Sequence, residues 1–248
     1  MSLYDVGMSS MFAQDCYALA NLSALIDRPA AQTAKLRARG DGMASLIKQH
    51  LWDDATGNFV NKWSANATFY PRITPTSFYA LQAHAASDAQ ADRMATEWLL
   101  NESRFCLTRD GSYDGNSETC YWGLPSIQAS DPAFPPLGYW RGYIWGPMAQ
   151  LTFWSLQEYD HVPAIRTARK SLCKQLSGLM MSQFNAHRHI CENYNVRCIS
   201  APRPSFVLVV LTSSSRPASA AGSLIRRRIR AAGTAREVSF TIGARSPD

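Results

Sequence analysis

Gly138-Tyr139-Trp140-Arg141-Gly142-Tyr143-Ile144-Trp145-Gly146-Pro147 is the stretch on which the reading of this chain turns. Four aromatic residues stand among three glycines, with a single arginine. Tyr and Trp offer an apolar face and a hydrogen-bonding edge, and glycine lets backbone approach closely. That surface suits a ligand with apolar C–H faces and a ring of hydroxyls, as a sugar has. The alternative is a buried aromatic turn that closes a helix end. Arg141 weighs toward a ligand site, because a guanidinium among aromatic rings needs partners for five donors.

Outward from this stretch, every clear regular element reads as a helix. Trp145, Met148, Leu151, Phe153, Trp154 and Leu156 predict one over 145–158, and a further helix covers 162–183. Upstream, Leu3, Met8, Met11, Phe12, Leu19, Leu22 and Ile26 recur at helical spacing over 3–26. Asp27-Arg28-Pro29 stops that helix. A second helix spans 30–51, with a weak centre at Arg39-Gly40-Asp41-Gly42. Asp53–Asn58 is turn chemistry leading into a short extended piece at Phe59-Val60. Helices follow over 75–86, with Thr74 as cap and Pro75 in the first turn, and over 88–100, with Asp88 as cap. Residues 101–143 read as one long aromatic-rich loop, too long to be a plain connection. Hairpins separated by alternately short and long loops predict an all-α ring of helix pairs, with the long loops on one rim.

Composition divides the chain in two. Residues 1–198 carry 17 Lys+Arg against 17 Asp+Glu, and residues 199–248 carry 8 Arg against 2 acids. The whole net charge of +6 therefore lies in the last fifty residues, and all seven Trp and ten Tyr lie before them. Neutral charge over 1–198 speaks against nucleic acid as a partner of that part. The segment 199–248 holds a short strand-like run at Phe206–Leu211, a low-complexity stretch at Ser213–Ser223 and the charge run Arg226–Arg230. It reads as a disordered tail or as translated non-native sequence. Nucleic-acid or membrane binding by the arginine run is a weaker third reading.

The six cysteines form no CxxC pair and no Cys/His set with zinc spacing, so no metal is implied; His187-Arg188-His189 is the nearest approach. They read as free thiols, with a Cys106–Cys120 bridge as the alternative in an oxidising compartment. Of three glycosylation sequons, at Asn21, Asn66 and Asn101, the first falls inside a predicted helix. The start MSLYDVGMSS has no signal-peptide pattern, and no run is long and apolar enough to span a membrane.

Tyr139-Trp140-Arg141-Gly142-Tyr143-Ile144-Trp145-Gly146-Pro147-Met148 resembles the YWRGxxW segment of glycoside hydrolase family 63. That family includes processing α-glucosidase I (mannosyl-oligosaccharide glucosidase) and bacterial mannosylglycerate and glucosylglycerate hydrolases. Glu192-Asn193-Tyr194-Asn195 resembles its ENYN segment, which trehalases share in similar form. Tyr4-Asp5-Val6-Gly7-Met8 and Arg72-Ile73-Thr74-Pro75-Thr76-Ser77-Phe78 are also similar to family segments. All four occur in family order over residues 1–195.

The resemblance implies a partial (α/α)6 toroid over residues 1–198, the C-terminal half of a catalytic domain, followed by an irregular tail over 199–248. It implies an inverting α-glycosidase acting on a carbohydrate substrate with no cofactor. Glu192 would be the catalytic base. Tyr139, Trp140, Arg141 and Trp145 would line the sugar subsite, and Asp5 would bind a sugar hydroxyl or cap its helix.

One departure matters. The family's general acid lies in an ESGxDNSPxW-like segment upstream of the DVGM-like stretch, and this sequence contains none. Asp110, Asp114, Glu118 and Asp131 on the long loop are the remaining candidates. Asp110 and Asp114 read as turn residues, and Glu118 could belong to a further pocket wall near Tyr121-Trp122-Gly123. The expectation is an incomplete, inactive glycosidase, and the rival reading is a non-catalytic sugar-binding module.

Overall fold

A computed structural model describes residues 2–101, 103–107, 122–134 and 138–194. The expectations for 199–248, for Cys120 and for Asp110, Asp114 and Glu118 lie outside these residues.

The first helix, α1 (Val6–Leu25), begins at Asp5, whose Oδ1 accepts from the Met8 N–H at 2.7 Å. That bond satisfies one of the first-turn donors that a helix cannot pair internally. The apolar pattern starts this helix at residue 3. Instead Leu3–Tyr4 (β1) forms an antiparallel pair with Lys62–Trp63, because a strand partner takes its backbone groups.

Helix α2 (Ala30–His50) returns along α1. A Cβ at Gly40 would lie 2.5 Å from Cε1 of Tyr17. The glycine that weakens the sequence pattern is thus where the Tyr17 ring of α1 packs against α2. Packing of the pair offsets the roughly 1 kcal/mol a mid-helix glycine costs.

The faces of α1 reverse the pattern expectation. Val6, Gly7, Ser10, Ala13, Cys16, Ala20 and Ser23 are buried. Met8, Phe12, Leu19, Leu22 and Ile26 are exposed, from 38% at Phe12 to 69% at Met8. Small side chains let neighbouring elements close on the helix, and the larger ones face outward. A helix apolar on all sides is the pattern of one covered on all sides.

The chain then forms the expected hairpin. Strands β2 (Trp52–Asp53) and β3 (Asn58–Phe59) pair antiparallel across a turn closed by Gly57, at φ +64°. Lys62–Trp63 is β4.

The segment predicted as a helix over 75–86 is a 3-10 helix, Pro75–Leu81, that turns away before His84, at φ +55°. Pro75 takes its first position as expected. Thr74 stands at the cap, but its hydroxyl meets Thr76 Oγ1 at 2.7 Å rather than the helix backbone. Six of the seven residues are buried, so tertiary packing maintains a helix type that is weak by itself.

Next comes α3 (Asp88–Met94), which runs into one π turn, Ala95–Leu99. Its cap is Ser87 rather than Asp88. Ser87 and Gln90 exchange a capping box, in which each side chain accepts from the other's backbone N–H, at 3.3 and 2.9 Å.

The last pair is α4 (Gly146–Gln157) and α5 (Pro163–His187). Helix α5 runs four residues past its predicted end and closes on Arg188 in the left-handed region. The Tyr79 hydroxyl donates to Met148 O and the Thr152 hydroxyl to Pro75 O, both at 3.4 Å. These bonds, with the packing of the 3-10 segment on α1, set α1, the 3-10 helix and α4 in one row. Each is followed in the chain by a further helix, α2, α3 or α5, and α2 and α5 pack on the helix before them. The result is the all-α arrangement of consecutive helical pairs that the sequence predicts.

One buried phenol makes part of this packing pH-sensitive. Tyr159 is 6% exposed and donates to Ala86 O at 2.6 Å. Burial pushes its pKa up to about 12. The folded state holds its proton where the unfolded chain, near pH 10, has released it. Its contribution is therefore complete below about pH 10 and is lost as pH rises toward 12. Urea midpoints measured from pH 9 to 12 should fall more steeply for the unaltered chain than for Tyr159→Phe. Parallel curves would remove Tyr159 from the alkaline transition.

Candidate active site

The aromatic run is fastened at its far end by a two-stranded ribbon. Strands β7 (Ile144–Trp145) and β8 (Asn193–Tyr194) pair antiparallel, with Ile144 opposite Tyr194 and Trp145 opposite Asn193. Ile144 and Tyr194 sit in a small apolar cluster with Ile127, Phe134 and Leu179. This pairing places Glu192, the residue before β8, beside a loop more than forty residues earlier in the chain.

The near end of the run is a tight turn. Gly138 and Arg141 exchange backbone hydrogen bonds of 3.1 and 2.7 Å, and Tyr139 takes φ +46°. Gly142 has φ +116°, an angle that L side chains rarely adopt. Ser126, which is buried, holds this point twice: its Oγ accepts from Gly142 N and its N–H donates to Tyr143 O, each at 2.9 Å.

Three rings make a wall. Trp140 stacks on Trp145 with centroids 3.7 Å apart and planes 8° from parallel. Tyr139 meets Trp140 and Trp145 edge-on at 5.6 and 4.7 Å. The Trp145 indole N–H donates to Tyr139 O at 3.2 Å and ties the stack to the turn. Trp145 is buried, while Tyr139 and Trp140 stay half exposed, at 50% and 53%. As the turn reading expects, the inner Trp of this stretch closes the start of α4, while its outer rings face solvent.

Glu192 is exposed at the edge of the wall, and its Oε1 accepts from the Tyr139 hydroxyl at 3.4 Å. The Tyr139 phenol is raised above its ordinary range, first by loss of water around it and then by the Glu192 carboxylate. Glu192 thus keeps access to water and has one neutral donor to orient it. Arg141 is exposed, and among the described residues its guanidinium has no hydrogen-bond or ion-pair partner.

Asp5 has both carboxylate oxygens engaged: Oδ1 by Met8 N, and Oδ2 by Asn61 Nδ2 at 2.9 Å. Its hydrogen bonds do not reach the wall. The first turn of α1 does meet the Arg72–Phe78 segment, since a Cβ at Gly7 would lie 2.8 Å from Thr76 Cβ. Thr152 in turn binds Pro75 O. The start of α1, the 3-10 helix and the middle of α4 are therefore linked side by side, and the four segments singled out in the sequence form one connected scaffold.

Sequence reasoning missed the strut beneath the wall. Residues 124–134, read as part of an open loop, include buried Leu124, Ile127, Ala129 and Phe134. Gln128 N donates to Ile73 O at 3.2 Å, and Ala129 N donates to Arg104 O at 2.6 Å. Buried Asp131 pairs with Arg72 at 3.0 Å and caps Ala133 N at 2.8 Å. The signal was present, because Asp131 is the sole charge between Trp122 and Leu137. Among the described residues, no group of three His, Cys, Asp or Glu could hold a metal ion. Among the same residues, no helix is long and apolar enough to cross a membrane.

The family model of the mannosylglycerate hydrolase MGH1-like glycoside hydrolase domain matches residues 1–196. No curated protein matches the chain. Among solved structures, the chain is similar to a family 63 mannosylglycerate hydrolase from Thermus thermophilus in complex with glucose. Identity is 20% and the TM-score 0.56, over 72% of this chain and 40% of that one. An uncharacterized conserved protein from the same organism gives 22% and 0.57, over 78% and 41%. Neutral trehalase from Saccharomyces cerevisiae gives 17% and 0.57, over 80% and 35%. The chain thus shares the helical fold of these structures and spans about two fifths of their length or less.

Proposed function

The chain belongs to the mannosylglycerate hydrolase MGH1-like glycoside hydrolase domain family, and we propose that it carries the base side of an inverting α-glycosidase site. Residues 1–198 are the catalytic part in this reading, and 199–248 stand outside it. The substrate is an α-glucoside or α-mannoside. A mannosyl-oligosaccharide glucosidase-like activity comes first, and mannosylglycerate-hydrolase-like or trehalase-like activities follow. The observation that carries the proposal is the Tyr139–Glu192 contact at the edge of the Trp140–Trp145 stack. It sets a solvated carboxylate beside a flat apolar surface of the kind a sugar face covers.

Inversion needs two carboxyl groups roughly 6.5–9.5 Å apart, one activating water and one protonating the leaving oxygen. Glu192 takes the water's proton. Trp140 and Tyr139 stack against the sugar, Trp145 backs them, and the Arg141 guanidinium donates to ring hydroxyls. Asp5, spent on its cap and on Asn61, serves the subsite through α1 and not as the acid. Asp131, buried against Arg72, is equally unsuited to deliver a proton. In this reading the 248-residue polypeptide binds sugar but does not cleave ordinary glycosides.

Binding tests the wall. Maltose titrated against tryptophan fluorescence should lose about tenfold or more in affinity with Trp140→Ala, equivalent to about 1.4 kcal/mol. Glu192→Gln should bind within about threefold of the unaltered chain, since charge at the base matters to the transition state and not to ground-state stacking. Unchanged affinity in Trp140→Ala would remove the wall from the subsite.

A further inference from the structure

A concavity of about 290 Å³ is lined by none of the residues of the wall. Thr56, Ile73, Glu97, Trp98, Arg104 and Gln128 bound it, between the β2–β3 turn, the π turn after α3 and the strut. We propose that it is a separate binding site for one uncharged sugar ring, held between the Glu97 carboxylate and the Arg104 guanidinium.

Both polar groups are set in place in advance of any ligand. The Arg104 guanidinium lies over the Trp98 ring at 4.7 Å, and its Nη1 donates to Gln128 Oε1 and Ser130 Oγ, each at 3.4 Å. These long contacts leave the other guanidinium donors without partners among the described residues. Glu97 is steadied by Arg93, whose Nε donates to Oε1 at 2.7 Å and whose Nη2 reaches Oε2 at 3.5 Å, a longer contact that leaves Oε2 the freer oxygen. Trp98 is 5% exposed, and its indole N–H is spent on Thr56 O at 2.9 Å. Trp98 is therefore a fixed platform for Arg104 and not a stacking face for a ligand. Such preorganisation lowers the ordering cost of binding.

Charge and size define the ligand class. An anion is drawn to Arg104 but meets Glu97, and a cation meets Arg104 together with Arg93, which is paired with Glu97. A neutral vicinal diol satisfies both, because each hydroxyl donates to a carboxylate or accepts from a guanidinium. The volume lies at the bottom of the range of about 300–1,000 Å³ seen for ligand sites, which suits one ring and not a chain of them. The site is independent of the catalytic reading given above.

The probe is methyl α-D-glucopyranoside, followed by saturation-transfer NMR and calorimetry on the full 248-residue chain carrying Trp140→Ala. The glucoside should bind with a millimolar dissociation constant, and glucuronate and glucosamine about tenfold more weakly. Arg104→Lys keeps the charge but loses the fork, and Glu97→Gln keeps the shape but loses the charge. Each should weaken binding about tenfold. Glu97 is exposed, so its variant reports even if Arg104→Lys perturbs folding, which circular dichroism checks. The proposal is overturned by absence of binding at tens of millimolar, or by unchanged binding in both variants. Equal affinity for the charged sugars also overturns it. Binding present in the unaltered chain but absent in Trp140→Ala would place the only sugar site at the wall, sinking this proposal and leaving the other intact.

Discussion

Glu192→Gln should lower hydrolysis of α-D-glucosyl fluoride by about 10²–10⁴-fold, the usual worth of a positioned general base. Fluoride is the substrate on which this can be read. It departs without a proton, so the step that needs a general acid drops out and the step that needs Glu192 remains. An alkyl α-glucoside or a glucosylated oligomannose demands both steps. On those substrates this reading predicts no turnover above background for the unaltered 248-residue chain, since among the described residues the acid candidates Asp5 and Asp131 are both committed to structural bonds. The product of fluoride hydrolysis should be the β-anomer, since water enters opposite the leaving group. Anomeric NMR during the first minutes distinguishes this from retention. Three outcomes count against the proposal. Equal rates for Glu192→Gln and the unaltered chain would take the base role from Glu192. An α-product would overturn inversion. Brisk cleavage of an alkyl glucoside that Glu192→Gln abolishes would mean the chain contains its acid after all. Sugar binding without any fluoride hydrolysis would favour the non-catalytic binding module.

The largest loss of stability should come from Phe78→Ala, at about 3–5 kcal/mol. Phe78 is fully buried in the 3-10 helix and meets Phe105 edge-on at 5.6 Å. Three features put the cost at the upper end. A 3-10 helix has little intrinsic stability to fall back on. Its neighbours are spoken for, because Thr76 packs under Gly7 and Pro75 O accepts from Thr152. Collapse into the cavity would therefore pull on both α1 and α4. Phe105 also leads to the strut, since its carbonyl accepts from Leu124 N at 3.2 Å. A loss of this size is a large part of the 5–15 kcal/mol that holds an ordinary domain together. Urea unfolding followed by fluorescence checks it, and a change below about 1 kcal/mol would show that the 3-10 row does not carry the core. Sugar affinity at the wall should weaken in the same variant, because the strut positions Ser126 and hence Gly142.

Much of the candidate site is legible in the sequence, but not its construction. Tyr139, Trp140, Arg141 and Trp145 stand out because so much rigid aromatic surface in so few residues is costly to leave without purpose. Glu192 stands out only through its likeness to a family segment, since a lone carboxylate after a helix carries no periodic signal. Ser126 and Gln128 give no such sign, and Asp131 gives only that of a lone charge in an otherwise uncharged run. Their importance lies in single hydrogen bonds to Gly142, Ile73 and Arg72, partners sixteen to fifty-nine residues away. The face of α1 is misread for a related reason. A helix with apolar residues all round has no moment to say which side is inner, and small residues win the inner side when neighbours pack close.

By itself the sequence determined the all-α class, the order of the helical pairs and most of their ends. Those features follow from local causes: apolar spacing near 3.6 residues, prolines at first turns, and turn residues between elements. Only the tertiary structure decided that Pro75–Leu81 winds as 3-10 and that α1 turns its small residues inward. It alone decided that Asp5 is consumed as a cap, that Asp131 is buried against Arg72, and that Tyr139 reaches Glu192. Each depends on which distant segment supplies the partner, as β8 supplies it to β7, and no window of neighbouring residues contains that information.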